Sequence, residues 1–258
     1  MLLDETIKKY PILDVTIHST GLKNLESKLE QLLVDNHQPK LITTFNLDFL
    51  RLTTIDNEFK YICKNSLFNL PDGYGIVNII KKKYNEKVTR ITGTDIYLML
   101  INLSKKLNKK TAIIGAENHV SKKVEEILIN QHKIKPANLL CISPEYKFEE
   151  NVEINKKVIN TVKEFKPDIV FAALGCPRQE KWLYQNMNTF GSKINIGIGA
   201  TLDFFTNEKK RSPDILQTLG LEWLWRLVHE PKRLFKRYII QDLPFFIKMM
   251  YKTNYEKK

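Results

Sequence analysis

The chain has 258 residues, 43% of them hydrophobic, and a formal net charge of +12. This composition suits one large folded core, or one core with a small appendage, and excludes a disordered or fibrous protein. Its three cysteines, Cys63, Cys141 and Cys176, form no CxxC or Cys/His cluster, so neither a disulfide framework nor a structural zinc site is indicated and a reducing cytosol fits.

The N-terminal stretch MLLDETIKKY carries acids where a signal peptide would have a basic stretch followed by an apolar one. No window approaches the ~18 unbroken apolar residues that a membrane-spanning helix needs. The sequence therefore predicts a soluble or peripheral protein.

Short β-rich runs alternate with helical patterns along most of the chain. Strands are predicted over 12–17, 41–46, 110–116, 138–143, 168–175 and 194–200, and a shorter apolar run, 66–70, ends just before Pro71; helices are predicted near 21–34, 47–57, 118–131 and 151–165. Apolar strands separated by helices indicate a parallel sheet with βαβ crossovers. We expect an α/β fold: a Rossmann-like parallel sheet with flanking helices.

The sequence changes character near KKRSP, residues 209–213, and then becomes basic, aromatic and helical, with breaks only at Pro231 and Pro244. This pattern predicts two parts, an α/β catalytic domain over 1–208 and a helical membrane-associating appendage over 209–258. Residues 209–258 contain 12 Lys or Arg and 5 Asp or Glu. Such an excess indicates an anionic partner, either nucleic acid or an anionic membrane surface.

Polar and glycine-rich stretches follow the predicted strands. They are TFNLD (44–48), PDGYG (71–75), GAEN (115–118), GCPRQE (175–180) and GIGATLDF (197–204), with RITGTD (90–95) as a further turn. Ligands of doubly wound sheets bind at the carboxyl ends of the strands, so these stretches predict a binding site there. No GxGxxG follows the first strand and no GxxxxGK[ST] is present, which argues against a dinucleotide or P-loop site.

Asp72 is the unusual residue of these loops, because a turn needs glycine but does not need an acid facing an open space. It is followed by Gly73 and Gly75 at the start of an apolar helix. From the sequence alone it could be a general base or the N-cap of that helix. No D-x-D pair is present to hold a divalent metal, so we expect Arg, Lys or backbone dipoles to meet the charge of any diphosphate, in a metal-independent site without a cofactor.

Together these segments resemble the WecG/TagA/CpsF family of bacterial glycosyltransferases. The resemblance lies in TFN (44–46), PDGYGIV (71–77), RITGTD (90–95), LGCPRQEKW (174–182), IGIGATLDF (196–204) and the tail RSPDILQTLGLEWLWRLVHEPKRLFKRY, in the family's order and over about residues 12 to 240. It implies an inverting, metal-independent transfer of a sugar from a UDP-sugar to an acceptor carried on undecaprenyl diphosphate, in teichoic acid, capsule or related polysaccharide synthesis. N-acetylmannosamine is the expected sugar; glucose, N-acetylglucosamine and a uronic acid remain alternatives.

The motifs that carry the resemblance also contain the candidate site residues. Asp72 becomes the catalytic base. Thr44 and Asn46 are expected to bind a sugar, although Asn46 could instead start the next helix, and Arg90 is expected to neutralise diphosphate unless it is a solvated surface residue. Gln179 resembles the family's PxQE position and would orient a sugar or phosphate, with Glu180 as a helix-dipole partner. Asp203 would touch the nucleotide or cap a helix, and Thr94 and Asp95 are interpreted as a cap.

Arg226, Arg233 and Arg237 are spaced so that a continuous helix would place them on one face, which Pro231 makes approximate. The Trp, Phe, Tyr, Leu and Ile residues between them give the opposite side an apolar character typical of a lipid interface. The resemblance implies that the appendage closes over the pocket and brings these arginines to the substrate diphosphates, excluding water. An ordinary C-terminal helix pair with a solvated basic face is the alternative.

The expected protein is therefore cytoplasmic and peripheral on the inner face of the cell membrane, binds no nucleic acid and could form a homo-oligomer. Two other interpretations stay open. A basic nucleic-acid-binding α/β protein would use residues 209–258 as its footprint, although no nucleic-acid motif is present. A non-catalytic domain would bind UDP without turnover.

Overall fold

A computed structural model of the protein describes residues 7–210 and 212–255. The acids at positions 4 and 5 of the N-terminal stretch, Arg211 of the tail motif and the last three residues of the expected appendage lie outside the described residues.

The chain begins with an antiparallel hairpin of β1 (Lys8–Ile12) and β2 (Val15–Ser19). The single strand expected over residues 12–17 is therefore wrong. Leu13 adopts a left-handed backbone conformation, with φ of 52°, and forms the turn with Asp14. Ile12, Val15 and Ile17 are all buried, so the apolar pattern continues on both sides of the turn. The turn therefore cannot be recognised from that pattern.

The central sheet has six parallel strands, and each coincides with a run singled out in the sequence. They are β3 (Lys40–Phe45), β4 (Phe68–Pro71), β5 (Thr111–Gly115), β6 (Leu139–Ile142), β7 (Ile169–Ala173) and β8 (Ile194–Gly197). Their spatial order is β4-β3-β8-β7-β5-β6. The predicted α/β class with a Rossmann-like parallel sheet is confirmed.

Within residues 7–205, nine α-helices connect and flank the strands. They are α1 (Leu22–Val34), α2 (Leu47–Leu52), α3 (Asn57–Asn65), α4 (Tyr74–Tyr84), α5 (Gly93–Lys106), α6 (Asn118–Asn130), α7 (Val152–Phe165), α8 (Arg178–Phe190) and α9 (Thr201–Phe205). The single helix expected over residues 47–57 is wrong. Asp56 caps the start of α3 by accepting a hydrogen bond from the backbone N–H of Phe59 at 2.9 Å, so the chain ends one helix and begins another.

Both faces of the sheet are buried under helices. Ile42, Phe171 and Ile196 belong to one apolar cluster with α1, α5 and α6. Leu41 and Val170 point the other way, into a cluster with α7 and α8. Successive side chains of a strand face opposite sides, so strands that are apolar throughout require this three-layer arrangement.

The C-terminal segment, residues 212–255, is a chain of short helices that packs on this body. It contains α10 (Asp214–Thr218), α11 (Glu222–His229), α12 (Pro231–Phe235), a π-helical stretch Lys236–Asp242 and α13 (Leu243–Tyr255). Pro231 starts α12 and Pro244 lies in the first turn of α13, as the sequence predicts. Met249 of α13 is buried in one cluster with Tyr10 and Ile12 of the hairpin and Ile79 of α4.

A buried group of four charges attaches the π-helical stretch to α2. Arg51 lies 2.5 Å from Asp48 and 3.2 Å from Asp242, and Arg237 lies 3.0 Å from Asp48 and 3.6 Å from Asp242. Burial and the neighbouring Asp48 carboxylate raise the pKa of Asp242 to about 6, against the opposing effect of the two arginines. Loss of any one member would leave an uncompensated buried charge, so this cluster fixes the position of the segment.

Among the residues that the structure describes, no helix combines the length and the apolar character needed to cross a bilayer.

The buried aromatic pair between β7 and α5 gives a test of the core. Phe171 is fully buried and its ring lies 5.0 Å from that of Tyr97. We expect Phe171→Ala to lower the free energy of unfolding by about 3–5 kcal/mol, because it leaves a cavity in a packed layer. Phe235→Ala, the same change at a side chain that is 52% exposed, should cost under ~1 kcal/mol in the same urea titration. Equal losses in the two variants would contradict the packing described.

Candidate active site

The carboxyl ends of four adjacent strands bring the predicted loops together. β4, β3, β8 and β7 are neighbours in the sheet, so the residues after Pro71, Phe45, Gly197 and Ala173 share one edge. The backbone N–H of Asp72 donates to the carbonyl of Phe45 at 2.9 Å, which extends the pairing of β3 and β4 by one residue. A site at this edge is what the sheet order predicts.

Asp72 leaves β4 immediately before α4. The residue at the N-cap position of α4 is Gly73, with φ of 85°, and no side chain caps this helix. The N-cap interpretation of Asp72 is therefore wrong. A Cβ on Gly73 would have no neighbour within 4 Å, whereas a Cβ on Gly75 would lie 3.1 Å from the Cβ of Leu47. Gly73 thus supplies a backbone conformation that favours glycine, with open space where a side chain would be, and Gly75 lets α4 approach α2.

Arg90 lies beside Asp72 and is not a solvated surface residue. Its Nε is 3.7 Å from Oδ1 of Asp72, and its terminal nitrogen donates to the carboxylate of Glu222 in α11. Its guanidinium also lies over the ring of Tyr74, 5.5 Å from the centroid. The side chain is only 16% exposed, and among the described residues its Nε has no hydrogen-bond partner.

Sequence reasoning missed Glu222 as a residue of the site. The sequence does contain one indication of its role: Glu222 is a carboxylate within the basic segment, in EWLWR, four residues before Arg226. That signal could have marked Glu222 as a partner for a cation, but it does not say which cation, because Arg90 lies 132 positions away in the chain.

Burial, followed by four nearby charges, determines where the Asp72 carboxyl ionises. Burial raises the pKa of Asp72 to about 6; Arg90 and Arg226 act to lower it, and Glu222 and Asp95 act to raise it. A carboxylate with a raised pKa is a stronger base than an exposed one and still ionises near neutral pH. Asp72 can therefore accept a proton from a bound hydroxyl group.

The three C-terminal arginines lie in three different environments. Arg226 places its guanidinium 5.3 Å from the ring centroid of Phe204, and its buried Nε lacks a hydrogen-bond partner within residues 7–210 and 212–255. Arg233 is paired with Glu230 at 2.7 Å and is 53% exposed. Arg237 belongs to the buried cluster with Asp48 and Asp242. Of these three, it is Arg226 that acts on the charge of Asp72. The expected common face is therefore wrong.

Thr44 and Asn46 lie at the end of β3. Thr44 is buried, and a Cβ on Gly93 would lie 3.9 Å from its hydroxyl oxygen, so Thr44 faces the start of α5. Asn46 is the N-cap of α2, where its side-chain oxygen accepts from the N–H of Phe49 at 3.1 Å. The helix-starting alternative for Asn46 is thus confirmed.

Gln179 ties two loops of the site together. Its side-chain oxygen accepts from the N–H of Gly175, at 3.2 Å, and from that of Gly199, at 3.1 Å. Its amide nitrogen donates to Glu180 at 2.6 Å, and burial raises the pKa of Glu180 to about 7. A Cβ on Gly197 would lie 2.4 Å from both side chains, so glycine is required there for this pair to fit under β8.

The remaining candidates have partners within the protein. Asp203 pairs with Lys209 at 2.9 Å and does not cap α9, whose N-cap is Ala200. The cap of α5 is a capping box formed by Thr92 and Asp95, which confirms the role of Asp95 but replaces Thr94 by Thr92. Residues 7–210 and 212–255 contain no group of three or more His, Cys, Asp or Glu side chains placed to hold a metal ion.

Comparison with known proteins identifies the family. The sequence model of the Glycosyl transferase WecG/TagA/CpsF family matches residues 10–258. The chain belongs to this family. Membership confirms the resemblance carried by the strand-end motifs, and it establishes the protein as a glycosyltransferase of the hexosyl-transferring kind.

Individual relatives match along nearly their whole length. The chain is 29% identical over 255 residues to an N-acetylglucosaminyldiphosphoundecaprenol N-acetyl-beta-D-mannosaminyltransferase of Bacillus subtilis (strain 168), covering 98% of this chain and 93% of that protein. It is 24% identical over 255 residues to the protein of the same name from Staphylococcus aureus (strain MRSA252), covering 97% and 94%. The match includes both the sheet and the C-terminal segment.

The contact of Gly197 with Gln179 and Glu180 gives a test of the loop geometry. We expect Gly197→Ala to lower the free energy of unfolding by ~1–3 kcal/mol, because the new methyl group overpacks a buried site and displaces both side chains. Gly21→Ala is the matched control, since a Cβ there has no neighbour within 4 Å and φ is −73°. Urea denaturation measures both. A Gly197→Ala protein as stable as Gly21→Ala would show that the pair does not require glycine.

Proposed function

We propose that this glycosyltransferase moves N-acetylmannosamine from a UDP-sugar to N-acetylglucosamine carried on undecaprenyl diphosphate, in the synthesis of a cell-surface polymer such as teichoic acid, capsule or a related polysaccharide. The names of the relatives, which match over nearly their full length, support the sugar and the acceptor. The observation that carries the proposal is Asp72: a partly buried carboxyl at a strand end, followed by a glycine whose Cβ position is open, and under the charge of two arginines.

Asp72 acts as the general base of a single displacement. The acceptor hydroxyl oxygen forms a bond to the anomeric carbon while the bond from that carbon to the UDP oxygen breaks, and the configuration inverts. The hydroxyl proton goes to the Asp72 carboxylate, and the bonding electrons leave with UDP. The raised pKa of Asp72 suits this step, since a base that titrates near the working pH transfers protons efficiently.

Arg90 and Arg226 neutralise the diphosphate that leaves. Both guanidinium groups act on Asp72 electrostatically, and each keeps a buried Nε that no described side chain or backbone group occupies. An unpaired buried donor is costly, so such a donor favours an anionic ligand. With two arginines in this position the reaction requires neither a metal ion nor another cofactor, and that is part of the proposal.

The other predicted residues have a smaller or indirect part in substrate binding. Thr44 contacts a sugar from the end of β3. The side-chain oxygen of Asn46 caps α2, so Asn46 contributes only through its side-chain amide nitrogen. Gln179 acts indirectly, because its amide already holds the loops after β7 and β8. Asp203 contacts the nucleotide only if it exchanges its pairing with Lys209. Arg233 and Arg237 serve the segment rather than the diphosphate: Arg233 points to solvent and Arg237 anchors the π-helical stretch.

The C-terminal segment holds the enzyme at the inner face of the cell membrane. Its helices expose many large apolar side chains, among them Leu219, Trp223, Leu224, Val228, Phe235, Ile240, Leu243, Ile247 and Tyr251. Exposed cations, Lys232, Arg233, Lys236 and Lys248, accompany them. Apolar side chains flanked by Lys and Arg bind the boundary of an anionic bilayer, where a lipid-linked acceptor would be found.

The role of Asp72 is tested by Asp72→Asn. We expect turnover of UDP-N-acetylmannosamine, with a soluble lipid-diphosphate acceptor analogue, to fall by ~10²–10⁴-fold, because the base is lost. For the unchanged enzyme, kcat/KM should rise with pH and level off above about pH 6, since Asp72 must be ionised to accept the proton. Radioactive transfer assays between pH 4.5 and 8.5 measure both.

Asp35→Asn, an exposed Asp at the end of α1, is the control and should keep full turnover. UDP binding by calorimetry should survive in both variants. An Asp72→Asn enzyme with undiminished transfer would remove the proposed base, and activity that EDTA abolishes and manganese restores would contradict the metal-free part. UDP binding without turnover of any UDP-sugar by the unchanged protein would favour a binding domain.

The membrane surface is tested by Val228→Glu, compared with Ile55→Glu; the two side chains are 69% and 70% exposed. We expect Val228→Glu to weaken cosedimentation with phosphatidylglycerol vesicles about tenfold, since losing ~1.5 kcal/mol of apolar burial corresponds to one factor of ten. Ile55→Glu, outside the segment, should bind as the unchanged protein does. Equal weakening by both, or salt-sensitive binding to duplex DNA instead of vesicles, would contradict the proposal.

A further inference from the structure

One guanidinium in the active site lies between two carboxylates. Arg90 uses its terminal nitrogen to donate to Glu222, while its Nε stays 3.7 Å from Oδ1 of Asp72, beyond the range of a good hydrogen bond. All three side chains are largely buried, with exposed fractions of 16% for Arg90, 24% for Asp72 and 18% for Glu222. The arginine is therefore bound to Glu222 and only close to Asp72.

This arrangement determines whether the Asp72 carboxylate is free to accept a proton. An arginine and a carboxylate that are free to approach form a bidentate pair with two parallel hydrogen bonds. In such a pair both oxygens of Asp72 would be occupied and its negative charge neutralised, which would make it a poor base. Glu222 competes for the same guanidinium and prevents that closure.

We propose that Glu222 is a positioning residue of the transfer site: by binding the terminal nitrogen of Arg90, it holds the guanidinium off Asp72 and leaves the Asp72 carboxylate free to take the acceptor's proton. This rests on the proposed function, in which Asp72 is the base. The acid that completes the site thus comes from α11 and not from the sheet.

Within the described part of the chain, four charged groups act most strongly on Asp72. Arg90 precedes α5, Asp95 lies in the first turn of α5, and Glu222 and Arg226 lie in α11. Asp95 has its own partner, because its carboxylate accepts from the N–H and the hydroxyl of Thr92 at 2.8 Å. Glu222 is thus the acid that controls Arg90.

The location of Glu222 links this control to the docking of the C-terminal segment. Two residues before it, Gly220 has φ of 75° and approaches Tyr74 so closely that an added Cβ would lie 2.8 Å from the ring. Tyr74 in turn lies under the guanidinium of Arg90. The turn that brings Gly220 onto Tyr74 therefore also delivers Glu222 to Arg90, so a docked segment and an unhindered base occur together.

The experiment uses Glu222→Gln in the full-length protein. Removing the charge releases Arg90 to close on Asp72, and it also removes a negative neighbour, so both effects lower the pKa of Asp72. We expect this pKa, measured without substrate by ¹³C NMR of the Asp carboxyl carbons and assigned with Asp72→Asn, to fall by about one unit or more. Glu208→Gln, which removes a carboxylate paired with Lys123 at 2.8 Å, should leave it unchanged.

Kinetics give a second readout. With Glu222→Gln, the acid limb of kcat/KM for UDP-N-acetylmannosamine should move to lower pH by the same amount, and kcat should fall several-fold because a weaker base remains. A purely structural role would lower activity without moving the limb.

A double-mutant cycle tests the route through Arg90. In an Arg90→Ala background, Glu222→Gln should change the pKa of Asp72 by less than half as much as in the unchanged protein. The cycle also separates this route from undocking of α11, because undocking would change the Asp72 pKa with or without Arg90.

The possible failures can be told apart. An Asp72 pKa that stays constant or rises in Glu222→Gln overturns the inference, as does a change of equal size without Arg90. If Asp72→Asn keeps full transfer activity, the proposed base fails instead, while the NMR result still reports whether Glu222 controls Arg90.

Discussion

The contact of Arg90 with Glu222 is the interaction on which the organisation of the site depends. It joins the loop before α5 to α11 and lies next to Asp72 at the end of β4. Because these groups are mostly withdrawn from water, their charges interact more strongly than on a surface. A single guanidinium therefore sets the charge balance of the candidate base and fixes the C-terminal segment over the edge of the sheet.

A second group of charges holds the other end of that segment. Arg237 and Asp242 pair with Asp48 and Arg51 of α2, and Met249 enters the core beside the N-terminal hairpin. Between these two attachments, α11 and α12 expose apolar and basic side chains. The segment that supplies Glu222 and Arg226 to the site is thus also the segment with the surface suited to a membrane, which fits an enzyme whose proposed acceptor is a lipid.

Residue chemistry alone overstated how many polar side chains are available to a ligand. Gln179 matches a motif position, but both ends of its amide bind within the protein, and Gly197 leaves the space for it. Asn46 likewise caps α2. Asp72 and Arg226 differ from these two residues: the Cβ position of Gly73, next to Asp72, is open, and no described group forms a hydrogen bond with the Nε of Arg226.

The sequence by itself determined the six strands of the sheet, the edge where the candidate site lies and the choice of Asp72 as its candidate base, because strand burial and strand-end glycines are local patterns. The same local patterns could not reveal the turn at Leu13 inside an apolar run or the break that Asp56 makes between α2 and α3. Only the tertiary structure separated Arg226 from Arg233 and Arg237 and paired Arg90 with Glu222. Those partners lie far apart in the chain, and a charge finds its counterion through the packing of whole elements rather than through its sequence neighbours.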